Sequence, residues 1–123
     1  MTYVDGFVLP VAKKNLAAYR SMATSTGKTW KKHGALQYFE CVADDLKPNT
    51  GGMPMLSFQK MAKLRKGETV FFSFIVYKSK AHRNSVNKKV MAEFSKDPNM
   101  KNMPMPFDIK RVAYAGFKAI VEA

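Results

Sequence analysis

Four strand-like segments and two long helical ones, in the order strand–helix–strand–strand–helix–strand, predict an α+β fold for this 123-residue chain. Three observations carry that expectation. The run Thr69-Val-Phe-Phe-Ser-Phe-Ile-Val-Tyr77 is apolar almost throughout and rich in aromatic and β-branched residues, as in a strand buried on both faces. Leu16, Tyr19, Met22, Ala23, Thr26 and Trp30 recur at the spacing of one helical face. A second stripe, Val86, Val90 and Phe94, follows Ser79, a residue type that caps helix N-termini.

Each element has local reasons. The first strand spans about Tyr3 to Leu9, apolar except for Asp5, and Pro10 is expected to end it and open a helix. That helix runs from about Val11 to Lys32 and stops at His33-Gly34, glycine being the usual residue just past a last turn. The second strand is about Ala35 to Ala43. Leu36, Tyr38, Glu40 and Val42 line one side, with Gln37, Phe39, Cys41 and Ala43 on the other. The connection from Asp44 to Glu68 holds Pro48, Gly51-Gly52 and Pro54, so it starts as loop, with a short helix or edge strand within Met55 to Lys66. The third strand is Thr69–Tyr77. The second helix ends near Phe94, before Asp97-Pro98. A Met- and Pro-rich loop then leads to a fourth strand at about Lys110 to Val121.

This order is that of a ferredoxin-like βαββαβ domain, residues 1–123 forming one unit. The first and third strands are expected to be central, parallel and joined by a right-handed crossover. Helices cover one face of such a sheet. The other exposes more large apolar side chains than a monomer normally tolerates, so a second copy of the chain is the expected cover, giving a dimeric α/β barrel. The alternative is that the 44–68 connection folds across the open face.

The net charge is +12, from 21 basic and 9 acidic residues. Such a surplus raises nucleic acid, anionic membranes and anionic small molecules as partners. The lysines are spread along the chain and not gathered in a tail, which fits solvated faces equally well. Cys41 is the only cysteine, so no internal disulfide can form. Asp5 interrupts the N-terminal apolar run, and no segment approaches a membrane span. A cytoplasmic location is expected.

Four segments resemble the YbaA-like family of small uncharacterised bacterial proteins. They are Tyr3-Val-Asp-Gly-Phe-Val-Leu-Pro-Val11 with Lys13-Lys14-Asn15; His33-Gly-Ala-Leu36 through Tyr38 and Glu40-Cys41-Val42; Val76-Tyr-Lys-Ser79 with Ala81-His-Arg83 and Val86-Asn-Lys-Lys-Val-Met91; and Met105-Pro-Phe-Asp108 with Lys110-Arg111 and Gly116-Phe117-Lys118. The resemblance covers nearly the whole chain. It implies a ferredoxin-like dimeric α/β barrel and no settled activity, so it transfers no catalytic residue. Ala12, Phe74 and Ala115 depart from the family pattern, which more often has Pro and Trp at the first two. Some relatives carry labels mentioning signal-recognition-particle RNA, and no RNA-binding motif here answers to them.

The best constellation for chemistry lies at the C-terminal ends of the two central strands, expected at one edge. Lys13 and Lys14 follow the first strand; Lys78, Ser79, Lys80, His82 and Arg83 follow the third. Two helix N-termini and these cations suit a small organic anion, with Arg83 able to grip a carboxylate in two-pronged fashion. The plain alternative is a set of exposed lysines at helix ends. His82, beside Arg83, is the better histidine for acid–base work, with a structural role at the helix start as its alternative. His33 reads as structural at a helix C-terminus and is expected far from His82. Asp5, inside an apolar strand, must be solvated or paired; Arg111 or Lys118 of the fourth strand is the expected partner, and a base in a pocket is the alternative. Tyr77, Tyr114 and Trp30 are either pocket lining or plain core. No metal-ligand spacing and no Gly-rich phosphate loop is present, so no cofactor is expected.

Three function classes remain open on these residues. One is a homodimeric small-molecule binder with a pocket between helices and sheet. Another is a cofactor-independent monooxygenase-like enzyme using Asp5, His82 or Tyr77, which rests on fold analogy alone. The third is an RNA-binding protein, against which the apolar third strand argues.

Overall fold

The computed structural model describes residues 1–98 and 105–123. Its elements are strand β1 (Tyr3–Ala12), helix α1 (Leu16–Lys32), strand β2 (Gln37–Val42), the short helix α2 (Phe58–Met61), strand β3 (Glu68–Tyr77), helix α3 (Lys80–Lys96) and strand β4 (Ala113–Lys118). One-turn 3-10 segments at Lys13–Asn15 and Ile109–Arg111 precede α1 and β4. The strands form one sheet in the order β2-β3-β1-β4, and every neighbouring pair is antiparallel. The Met- and Pro-rich loop expected before β4 falls largely on 99–104, outside the described residues.

The antiparallel pairing corrects the expected direction of the central strands. Tyr3 stands opposite Tyr77 and Ala12 opposite Glu68, so β1 and β3 end at opposite edges. The chain crosses the sheet with each helix and turns back with the β2–β3 connection. Each central strand therefore meets neighbours running the other way.

Pro10 does not end β1, which continues to Ala12. Pairing with β4 stops at Val8 opposite Ala113, so beyond that point β1 has β3 alone as a neighbour. A proline without an N–H is tolerated on such a flank. The 3-10 turn then delays α1 to Leu16. At the other end Gly34 holds φ +112°, a backbone geometry suited to glycine, as the sequence anticipated. The fourth strand is shorter than expected, and the 44–68 connection contains α2, capped by Ser57, but no strand.

Both long helices cover the sheet face carrying Phe7, Leu9, Val11, Phe71, Ile75 and Tyr77. Around Leu9, Val11 and Phe71 the core closes with Tyr19 and Ala23 of α1. Around Ile75 and Tyr77 it closes with Ala35, Val86 and Val90. Val86 and Val90 are almost fully buried, each contributing about 1.5–3 kcal/mol of apolar burial. Residues of alternate parity face the other way. There Phe39, Phe72 and Phe117 are 46–58% exposed. The 44–68 connection shields only one end of this face, where Phe58 sets its ring edge-on to Phe72 with centroids 6.3 Å apart. Thr69–Tyr77, apolar on both sides, thus has one face covered by this chain and the other largely bare.

Candidate functional site

The convergence expected at one sheet edge divides in two. Lys13 and Lys14 lie beside Gly67, whose carbonyl accepts from the Lys13 N–H at 2.8 Å. Lys78, Ser79, Lys80, His82 and Arg83 lie at the far edge, beside Tyr3. The reason is the antiparallel central pair, and the two lysines after β1 are not part of any site with Arg83. Ser79 is the N-cap of α3, its hydroxyl accepting from the His82 N–H at 3.1 Å. Lys78 and Lys80 are exposed.

Asp5, Arg83, Tyr77, Tyr114 and Trp30 do come together, where α3 starts over the end of the sheet. Asp5 is 1% exposed, and its partner is Arg83 of α3, with Nη1 3.4 Å from Oδ1. The expected pairing with Arg111 or Lys118 does not form. Asp5 stands opposite Gly116, and Arg111 is taken by Glu68 through bonds of 2.6 and 2.9 Å. Arg111 holds the Glu68 carboxyl down at about 2, chiefly through those charge-assisted bonds.

The Arg83 guanidinium donates to Tyr114 Oη at 2.9 Å and to Tyr3 Oη at 3.1 Å, and lies 5.0 Å from the centre of the Tyr3 ring. Gly116 permits this, because the Tyr3 ring lies where any Cβ at that position would stand. Tyr114 stacks on Phe7 at 4.7 Å. Trp30 Nε1 donates to Tyr77 Oη at 3.0 Å and Asn87 Oδ1 at 3.3 Å, tying α1 and α3 to β3. Burial pushes the Asp5 carboxyl above its ordinary value; the Arg83 charge, and then hydroxyls of Tyr114 and Tyr77, oppose that push. Burial likewise pushes the Tyr77 phenol up, with the Asp5 charge adding to it. Asp5 Oδ1 and Arg83 Nε have no hydrogen-bond partner among the described residues. This is a closed network that joins β1, β3, β4 and both long helices; Tyr77 is 0% exposed.

His82 accepts the Lys78 N–H at Nδ1, 2.9 Å away, which leaves the ring proton on Nε2 in the neutral form. Its ring stands edge-on to Tyr77. The two histidines are not at opposite ends: a Cβ added at Gly34, next to His33, would stand 3.5 Å from His82 Nε2. His33 is committed to Glu93 at 2.9 Å, which also holds Lys32 at 2.7 Å. Cys41 is a free, exposed thiol on β2.

A second constellation, not anticipated, lies between α1 and the β2–β3 edge. Glu40 Oε2 accepts from Tyr19 Oη at 2.7 Å and Ser73 Oγ at 2.6 Å, and Oε1 accepts from Tyr38 Oη at 3.0 Å. Thr26 lies 3.2 Å from the same Tyr38 oxygen. Burial pushes both phenols well above their ordinary range, and Glu40 adds to the push. These groups border a cavity of about 570 Å³ whose other walls are Leu16, Ala23, Val42 and Phe71, with Arg20 and Thr24 also lining it. The volume falls in the range of small-molecule pockets. Ser73 was the available signal: a lone hydroxyl within an apolar strand, directly opposite Glu40 in the ladder.

Among the described residues, no helix is long and apolar enough to cross a membrane. The family described as "Protein of unknown function (DUF1428)" matches residues 2–109. The chain is 40% identical over 124 residues to "Uncharacterized protein YbaA" of Escherichia coli K12, covering 99% of each chain, and equally so to the protein of that name from Shigella flexneri. Among solved structures it is similar to "De novo designed protein Foldit4", at 13% identity and a TM-score of 0.43, over 96% of this chain and 97% of that one.

Proposed function

As this chain belongs to the DUF1428 family of proteins of unknown function, we propose that it is a homodimeric small-molecule-binding protein. In this reading the domain is ferredoxin-like, two copies pack sheet to sheet as a dimeric α/β barrel, and the ligand enters between α1 and the sheet. The single observation that carries it is the cavity of about 570 Å³ over Glu40, where three hydroxyl donors hold a carboxylate among apolar and aromatic walls. A few convergent polar groups in an otherwise apolar pocket are what a small ligand needs for orientation.

The organic anion anticipated at Lys78, Ser79 and Arg83 has a weaker claim. Arg83 already has Asp5, Tyr3 and Tyr114 around it, so an anion must displace phenols and compete with a buried carboxylate. A monooxygenase-like role for Asp5, His82 or Tyr77 meets a similar obstacle, since these residues converge on one another and Tyr77 is sealed.

The dimer reading rests on the uncovered sheet face. By the ladder's alternation it carries Val4, Val8, Phe39, Phe72, Phe74, Val76 and Phe117, and no strand position on it is a lysine or arginine. RNA-binding sheets pair aromatics with cations, whereas a second apolar sheet suits this surface. Native mass spectrometry of protein purified from its own host tests both parts: the expected result is a dimer mass with a retained small molecule. A monomer with nothing bound counts against the proposal.

A further inference from the structure

We propose that the ligand of the Glu40 cavity is a small organic ammonium with an apolar body, its cation held against Glu40 and its body against Tyr19, Tyr38 and Phe71. This rests on the reading that the cavity receives a small molecule, and it names the class. The argument starts from charge. The Glu40 carboxylate is partly buried, and all three of its hydrogen-bond donors are neutral hydroxyls. No lysine, arginine or histidine among the described residues comes within 4.0 Å of it. Three other partly or fully buried carboxylates do have a close cation: Asp5 has Arg83, Glu68 has Arg111, and Glu93 has Lys32 and His33. In a chain of net charge +12, Glu40 is partly buried and has no close cation among the described residues.

Stereochemistry agrees. A carboxylate offers about four acceptor positions, and the hydroxyls occupy two on Oε2 and one on Oε1. One position on Oε1 remains for an N–H donor. Tyr19, Tyr38 and Phe71 line the cavity, and an aromatic π face attracts a desolvated ammonium and repels an anion. Tyr19 and Phe71 lie 4.3 Å apart between ring centres, so they form one continuous wall. Leu16, Ala23 and Val42 supply aliphatic contact for the rest of the molecule. Arg20 also lines the cavity, but it is exposed, so solvent and salt screen its repulsion.

The test uses three probes that share a phenylethyl body: phenethylammonium chloride, sodium 3-phenylpropanoate and 2-phenylethanol. Each is titrated into the full-length protein, with calorimetry for affinity and amide chemical shifts for location. The expected result is that the ammonium binds at least tenfold tighter than the other two, with shifts centred on Tyr19, Tyr38 and Phe71, and that Glu40→Gln weakens it about tenfold or more. Equal or tighter binding of the anion or the alcohol overturns the assignment of charge while leaving the pocket reading intact. Absence of shifts in the cavity with all three probes overturns both. Should Glu40→Gln fail to fold, the three-probe comparison on the unaltered chain still decides. Val42→Trp narrows the cavity while Glu40 and its donors stay unsubstituted, and it should abolish ammonium binding; undiminished binding there also overturns the proposal.

Discussion

Asp5 illustrates how one buried charge organises several elements. Its carboxylate is under two opposed influences, burial raising its proton affinity and Arg83 lowering it. Because the folded value lies above 3.8, the stability contributed by this group is complete below about 3.8 and is lost as pH rises through the folded value. Arg83→Met removes the counter-charge. It should cost about 3–5 kcal/mol in urea unfolding at pH 7, because it strands a buried carboxylate. The loss should be smaller at pH 4, and adding Asp5→Asn to the same chain should restore a large part of it at pH 7. A double variant no more stable than the single one contradicts this account. The sequence marked Asp5 as needing a partner, since a carboxylate in an apolar strand has few alternatives. It did not mark Arg83 as that partner, because 78 residues separate them and only the docking of α3 brings them together.

At the scale of elements, α1 depends on a close approach that its composition does not advertise. Gly27 lies on the buried face, and a Cβ there would stand 2.8 Å from the Tyr38 ring. Glu40 and Thr26 hold that ring by its hydroxyl, so it has little freedom to move aside. Replacing a mid-helix glycine by alanine ordinarily stabilises a helix by about 1 kcal/mol. Here overpacking of about 1–3 kcal/mol opposes that gain. Gly27→Ala should therefore lower stability by about 1 kcal/mol net, read as a decrease in melting temperature. In a Tyr38→Ala background the same substitution should raise it. The helix stripes were legible because burial on one side repeats every three to four residues. Strand direction was not, because an apolar run reads the same in a parallel or an antiparallel sheet. The misplaced pairing of Lys13 and Lys14 with Arg83 followed from that ambiguity.

For the whole molecule, the unanswered need is cover for the second sheet face. Phe72 lies on it, 48% exposed, between Phe58 and Phe74. Phe72→Lys places a charge where the proposed partner sheet would pack, at little cost to the isolated chain because the side chain already reaches solvent. Sedimentation velocity should show a dimer for the unaltered protein and a monomer for Phe72→Lys, with circular dichroism unchanged. A dimer that survives the substitution moves the interface elsewhere; a monomeric unaltered protein removes it.

What the sequence determined by itself is therefore local and periodic: which segments are strands or helices, where α3 is capped, which side of each element is apolar, and the surplus of apolar surface on Thr69–Tyr77. These follow from nearest-neighbour sterics and hydrophobic spacing, which are written along the chain. The tertiary structure alone decided which charges meet. It separated Lys13 and Lys14 from Arg83, gave Asp5 to Arg83 and Arg111 to Glu68, and gathered Tyr19, Tyr38 and Ser73 around Glu40. Such contacts depend on strand direction, ladder register and helix docking, which are fixed by the packing of the whole chain and have no signature in a short window.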